Sequence, residues 1–166
     1  MASFITAYAR NKTIRTSQAV RDFSLSKYGI DKYWYSDTDS IWGGLTKDDL
    51  EELKDVIEID DYKLGAWALE KVAQRFLGLR QKCYIYEIDG KVKVTVAGLP
   101  RYLAPLITFD NFRKGFTTAG LTMQMLKEEA RKNGATEEEI RKIHHKLRYT
   151  YTHGGVVLTD TDFTIK

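Results

Sequence analysis

Three features of this 166-residue sequence predict an α+β fold. Apolar residues recur at helical spacing near the start. An Asp-Gly pair sits between two alternating apolar runs in the middle. Two charged stretches, the second opened by a threonine, then read as helices ahead of a strand-like tail.

The elements follow in order. Phe4, Ile5, Tyr8, Ala9, Ala19, Val20 and Phe23 recur at helical spacings, separated by Arg10, Lys12, Arg15 and Arg21. That pattern predicts an amphipathic helix over residues 4–23 with a basic outer side, weakened in its middle by Thr13-Ile14. Gly29 breaks it. Tyr33-Trp34-Tyr35 reads as a strand, and Ser40-Ile41-Trp42 as its returning partner, ending at Gly43-Gly44. Thr46-x-x-Asp49 has the form of a capping box and opens a short acidic helix to about Leu53. Residues 63–70 and 81–88 are expected as strands. Asp89-Gly90, between Tyr84-Ile85-Tyr86 and Val92-x-Val94-x-Val96, is the strongest hairpin signal in the chain. Pro100 and Pro105 bound a short irregular or helical piece, and Phe109, Phe112 and Phe116 have helical spacing that Gly115 helps to end. Residues 123–132 predict a charged helix stopped by Asn133-Gly134. Thr136-x-x-Glu139 caps a second helix to about Leu147, completing a helical hairpin. Gly154-Gly155-Val156-Val157-Leu158 and Phe163-x-Ile165 return to strand character.

Composition narrows the class. Hydrophobic residues at 43% and charged residues at 30% suit a soluble domain, or a domain plus an appendage, with a real core. A net charge of +3 and a pI near 8.8 permit a nucleic-acid partner without demanding one. A lone cysteine, Cys83, excludes an intramolecular disulfide and fits a reducing cytoplasm. Met1-Ala2-Ser3-Phe4 lacks the basic start and apolar core of a signal peptide, and no apolar run approaches the roughly 20 residues of a membrane helix.

Tyr35-Ser36-Asp37-Thr38-Asp39-Ser40 is the stretch that carries chemistry. It sets two carboxylates one residue apart, in a turn at the end of an aromatic strand. A rigid pair of carboxylates suits a hard cation such as Mg²⁺, which takes one or two of them and keeps its other positions for water and substrate phosphates. Asp and Ser also stabilise turns through their own backbone, so the pattern alone equally describes an ordinary turn. Spacing excludes an EF-hand: with Asp37 as the first loop position, Trp42 stands where glycine is required and Asp48 where a bidentate Glu is required. A D-x-D phosphatase and a sugar-nucleotide transferase stay open on these six residues.

Four blocks in order carry a resemblance across almost the whole chain. Phe4-Ile5-Thr6-Ala7-Tyr8-Ala9-Arg10 followed by Y-x-D-T-D-S resembles the helix and metal hairpin (motif C) of the family B DNA polymerase palm. Lys63-Leu64-Gly65-Ala66-Trp67 and Leu79-Arg80-Gln81-Lys82-Cys83-Tyr84-Ile85 are similar to the palm-to-thumb passage, with that family's K-x-Y motif at Lys82 and Tyr84. Ala97-Gly98-Leu99 with Phe109-Asp110-Asn111-Phe112-Arg113-Lys114-Gly115-Phe116 resembles the thumb. Gly154-Gly155-Val156-Val157-Leu158 with Phe163-Thr164-Ile165-Lys166 is similar to the extreme C-terminus of protein-primed polymerases of small phages. The stretch between about 121 and 152 has no counterpart in that pattern.

The resemblance implies a partial palm over residues 1–70, then a β-rich thumb over 71–166 with a helical hairpin inserted at about 121–152. It makes Asp39 the direct ligand of two Mg²⁺ ions and Asp37 a supporting carboxylate, for nucleotidyl transfer from a dNTP to a primer. It places Tyr35 near the primer terminus or in palm packing. Lys82, Tyr84 and Arg80 would grip primer-template DNA. On a strand, Lys82 and Tyr84 share one face while Cys83 and Ile85 face a core, so Cys83 is no nucleophile. Arg75, Lys91, Lys93, Arg113 and Lys114 would add a basic lining. The exonuclease domain, motif A with its carboxylate, and the fingers would precede Phe4. These make up the remainder of the polymerase and are a required partner alongside a terminal priming protein. A chain without motif A is expected to be inactive alone; the alternative is a non-catalytic DNA-binding or assembly subunit of a split polymerase. The origin implied is a phage or prophage in a bacterial cytoplasm. A half-palm also leaves a sheet edge open, which invites pairing with another copy. The stand-alone phosphatase does not explain the K-x-Y or C-terminal blocks, and Ile41 stands where it requires Thr or Val. Trp34, Trp42 and the three Phe of the thumb block are expected in the core. Adjacent His144-His145, on one helix, would point about 100° apart and read as surface residues.

Overall fold

A computed structural model describes residues 2–166, with side chains from residue 6 onward, so the Phe4 and Ile5 side chains lie outside the described residues. The chain forms two compact units, Met1–Val72 and Ala73–Lys166.

In the first unit, α1 (Ala2–Tyr28) runs for 27 residues and continues straight through Thr13-Ile14. It ends at Gly29, whose φ of 70° lets its N–H return to the Leu25 carbonyl at 2.9 Å. Next come β1 (Tyr33–Asp37) and β2 (Ser40–Gly43), an antiparallel pair with Tyr35 opposite Trp42 and Asp37 opposite Ser40. α2 (Lys47–Glu52) carries the capping box at Thr46 and Asp49. Val20, Leu53 and Ile57 form a small core, with Phe23, Tyr33, Leu45 and Trp67 packed against it. Trp34 is not in that core. It is 51% exposed, and one face of its indole lies on Gly44, where an added Cβ would meet the ring at 2.5 Å.

The strand expected over 63–70 does not form. Asp60 instead accepts the Tyr62 and Lys63 N–H groups at 2.8 and 3.0 Å, an Asx turn, and the chain touches back through one bridge, Ile59 to Trp67.

The second unit opens on a three-stranded antiparallel sheet: β3 (Arg75–Arg80), β4 (Cys83–Ile88) and β5 (Lys91–Val96). β3 has no clear signal in the sequence, because its exposed, glycine-split run lacks clean alternation. The Asp89-Gly90 turn forms as expected, with φ of 52° and 71°. A 3-10 helix (Arg101–Leu106) holds Pro105. The Phe109–Phe116 stretch is turn rather than helix. Asn111 draws it tight by accepting from the Thr108 N–H and donating to the Leu106 carbonyl, both at 2.8 Å. Phe112 is buried, and Phe109 and Phe116 pack on the core, as expected.

α3 (Met123–Lys132) and α4 (Glu137–Lys142) make the helical hairpin, each capped by a threonine. α4 stops short of Leu147. Ile143 is already extended, and β6 (Lys146–Thr152) pairs in unbroken register with β7 (Gly155–Thr161). The helical hairpin therefore ends near residue 143, and the remainder up to residue 152 is half of a β-ribbon. The final residues pair with 115–118, where the Gly115 N–H reaches the Ile165 carbonyl at 2.7 Å and the Thr118 N–H the Phe163 carbonyl at 2.9 Å. Cys83, Ile85, Leu103, Leu106, Leu126, Ile140 and Ile165 are among the residues of the core these elements share.

Candidate metal centre and nucleic-acid interface

The β1–β2 tip is Thr38-Asp39. The Asp39 N–H donates to the Asp37 carbonyl at 2.6 Å, and Thr38 takes a φ of 46°. A β-branched residue in the left-handed region is an outlier, and strained turns of this kind concentrate at functional sites. Ser40 Oγ donates to the Asp37 carbonyl at 3.1 Å, and Thr38 Oγ1 to Asp37 Oδ1 at 3.3 Å. From α1, Thr13 Oγ1 donates to the Thr38 carbonyl at 3.0 Å. Asp37 is half-buried and Asp39 exposed. The ion pairs among the described residues of this unit fall elsewhere, on Arg21–Asp31, Lys27–Asp49, Lys27–Glu52, Lys63–Glu58 and Lys71–Glu70. Two hard-oxygen carboxylates left outside every ion pair of the described residues are the donor set Mg²⁺ prefers. They are also an incomplete one: among the described residues no three His, Cys, Asp or Glu groups converge on a metal position.

Tyr35, on β1 two residues before Asp37, is buried at 9% exposure. Asp49 was legible only as a cap. It is fully buried and accepts from Lys27 Nζ at 2.8 Å, Tyr28 Oη at 2.6 Å and the Thr46 N–H at 2.8 Å. Burial alone would raise its pKa, but those donors outweigh it and hold the carboxyl well below the usual range. Hydrogen bonds from Lys27 to Asp49 and Glu52 raise the lysine above its ordinary range.

In the second unit, Lys82 does not share a strand with Tyr84. It sits in the β3–β4 turn at a φ of 55°, exposed, its carbonyl accepting from Ala97 at 2.8 Å. The strand starts one residue later, and there the expected alternation holds. Cys83 and Ile85 are fully buried, while Tyr84 faces the other way, stacked on Phe76 at 5.8 Å and beside Tyr86 at 6.2 Å. Burial pushes the Cys83 thiol up, against a smaller effect of Arg80. Arg80 is exposed but committed, with Nε donating to the Lys166 carbonyl at 2.9 Å, so the K-x-Y block and the C-terminus are neighbours. Arg75 pairs with Glu87 at 3.8 Å and lies 4.1 Å over Phe109, whereas Lys91, Lys93, Arg113 and Lys114 are solvated.

His144 is half-buried off the end of α4, stacked on Tyr102 at 3.8 Å, and so is not the surface helical residue expected. β7 takes up the strand character expected from Gly154 to Leu158, but its partner β6 was missed, although Leu147/Tyr149/Tyr151 against Arg148/Thr150/Thr152 is a period of two that a helical reading overrode.

No protein-family model matches the chain. It is 35% identical over 185 aligned residues to the DNA polymerase of Bacillus phage B103, and 34% to that of Bacillus phage phi29. Each alignment takes in all of this chain. Among solved structures, phi29 DNA polymerase complexed with primer-template DNA superposes with a TM-score of 0.64 at 31% identity, over 98% of this chain and 25% of that one. The complex with primer-template DNA and incoming nucleotides gives 0.63 at 32%. The chain matches the phi29-type phage DNA polymerases in sequence and in fold. It matches their C-terminal region and spans 26% of the length of these relatives. The mixed α+β character is that of the same region of phi29-type polymerases.

Proposed function

We propose that this chain is the motif C and thumb portion of a protein-primed, DNA-directed DNA polymerase. Residues 1–70 act as the C-terminal part of its palm and 71–166 as its thumb. The observation that carries the reading is the strained Asp37-Thr38-Asp39 turn, with unpaired carboxylates, in a chain that matches these polymerases. Asp39, supported by Asp37, would hold Mg²⁺. Bound there, the ions supply activation of a primer 3′-hydroxyl and neutralisation of leaving pyrophosphate. Lys82 and Tyr84 position the primer strand by backbone contact without reading sequence. Arg80 orders this patch by pinning Lys166, and the solvated lysines and arginines of the second unit add non-specific attraction.

With two carboxylates where the reaction class needs at least one more, the isolated chain binds a divalent ion weakly and does not extend primers. Dependence on a further carboxylate makes the remainder of the polymerase its partner, dNTP and primer-template DNA follow from the reaction class, and a priming protein follows from the resemblance to protein-primed polymerases. Mn²⁺ as a paramagnetic probe tests the site: the amides of residues 37–40 broaden in the native chain and not in Asp39→Asn. Mixed with the remainder of a phi29-type polymerase, the chain restores dNTP incorporation, and Asp39→Asn abolishes it. Primer extension by the 166-residue chain alone, or Mn²⁺ broadening unaffected by Asp39→Asn, overturns the assignment.

A further inference from the structure

We propose that Thr13 is a positioning residue whose hydroxyl locks the Thr38–Asp39 peptide in the orientation that presents both carboxylates to a divalent ion. The inference rests on the metal reading above. This peptide is held at both ends: its carbonyl accepts from Thr13 Oγ1 at 3.0 Å, and its N–H donates to the Asp37 carbonyl at 2.6 Å. It is the central peptide of a two-residue hairpin turn, whose flip interconverts turn types.

The flip turns the Thr38 ψ and the Asp39 φ and leaves the Thr38 φ of 46° as it is, so the hydrogen bonds at the two ends of the peptide, and not relief of strain at Thr38, set its orientation. The flip changes the Asp39 φ and so the backbone setting of that side chain, whereas Asp37 stays anchored in the ladder opposite Ser40. A flip would therefore re-aim one carboxylate relative to the other. Thr13 reaches the turn from α1, a separate element. The Ser40 and Thr38 side-chain bonds are internal to the turn and move with it.

The strength of the lock is bounded. A threonine hydroxyl has one proton, and the Ala9 carbonyl one helical turn back accepts at the same 3.0 Å. The tie to Thr38 competes with that back-bond, so its loss changes ion affinity by a few-fold, less than an unshared hydrogen bond would.

The test compares Thr13→Val, Thr13→Ala and Thr13→Ser in the full chain. Mn²⁺ affinity is read from broadening of residues 37–40, and hydrogen exchange of the Asp39 amide is read without any ion. The two variants lacking the hydroxyl are expected to bind Mn²⁺ about three-fold more weakly and to exchange the Asp39 amide about three-fold faster. Thr13→Ser keeps both values native. Alanine is the best helix former, so Thr13→Ala cannot fail through loss of α1. Unchanged Asp39 exchange in Thr13→Ala overturns the lock. Mn²⁺ broadening missing from the unsubstituted chain is a different result: it overturns the metal reading, and the exchange comparison then still decides the lock.

Discussion

Asp39 and Asp49 are both carboxylates of the first unit, yet their surroundings assign them opposite work. Asp39 is exposed at a turn and lies outside every ion pair of the described residues, which leaves its charge for a ligand. Asp49 is sealed from water and spends its charge on Lys27, Tyr28 and the Thr46 N–H. Removing it strands those donors and uncaps α2, so Asp49→Ala is expected to destabilise the first unit by about 2–3 kcal/mol. The sign with pH follows from its lowered pKa. The stabilisation is complete above the ordinary carboxylate range and is lost as pH falls through the folded-state value. Urea titrations read by tryptophan fluorescence should show stability falling below about pH 4, with a shallower fall in Asp49→Ala. The sequence exposed half of this. Thr46-x-x-Asp49 announced the cap, but Lys27 and Tyr28 lie 22 and 21 residues away, and no local pattern links them to it.

Hairpins were the elements most legible in advance, because turn chemistry is local. Asp89-Gly90 needs φ above zero at both positions and the residues supply it. Nothing lies within 4 Å of a Cβ built on Gly90, so a substitution there meets only backbone strain. Gly90→Val is expected to cost about 1–2 kcal/mol in the second unit, read as a lowered urea midpoint with an unchanged slope. Strand edges were less legible. Lys82 has a strand-forming context on one side and a left-handed φ on the other, and only the pairing of Arg80 with Cys83 shows that the turn claims it. Residues 137–147 show the same conflict. Thr136 and Glu139 cap a helix, while the alternation from Leu147 onward belongs to a ribbon. The ribbon wins at Lys146 because β7 offers a complete hydrogen-bonded partner.

At the scale of the whole molecule, two separate cores imply two unfolding events. Val20, Leu53 and Ile57 anchor the first unit, against a much larger cluster of buried residues in the second. All three tryptophans, Trp34, Trp42 and Trp67, belong to the first unit, and the sole cysteine, Cys83, is fully buried in the second. Each unit therefore carries its own probe. Tryptophan fluorescence should lose its native signal at lower urea than Cys83 becomes reactive to a thiol reagent; coincident midpoints would mean one cooperative fold. The likeness to phage DNA polymerases, the α+β class, the carboxylate turn and the burial of Cys83 were all readable from the sequence. Each of these is written in neighbouring residues, as block order, turn chemistry or alternation. Tertiary structure alone decided the burial of Asp49, the tie from Thr13 to Thr38, the engagement of Arg80 by the C-terminus and the end of α4. These join residues far apart in the chain, and which donor meets which acceptor is set by packing rather than by spacing.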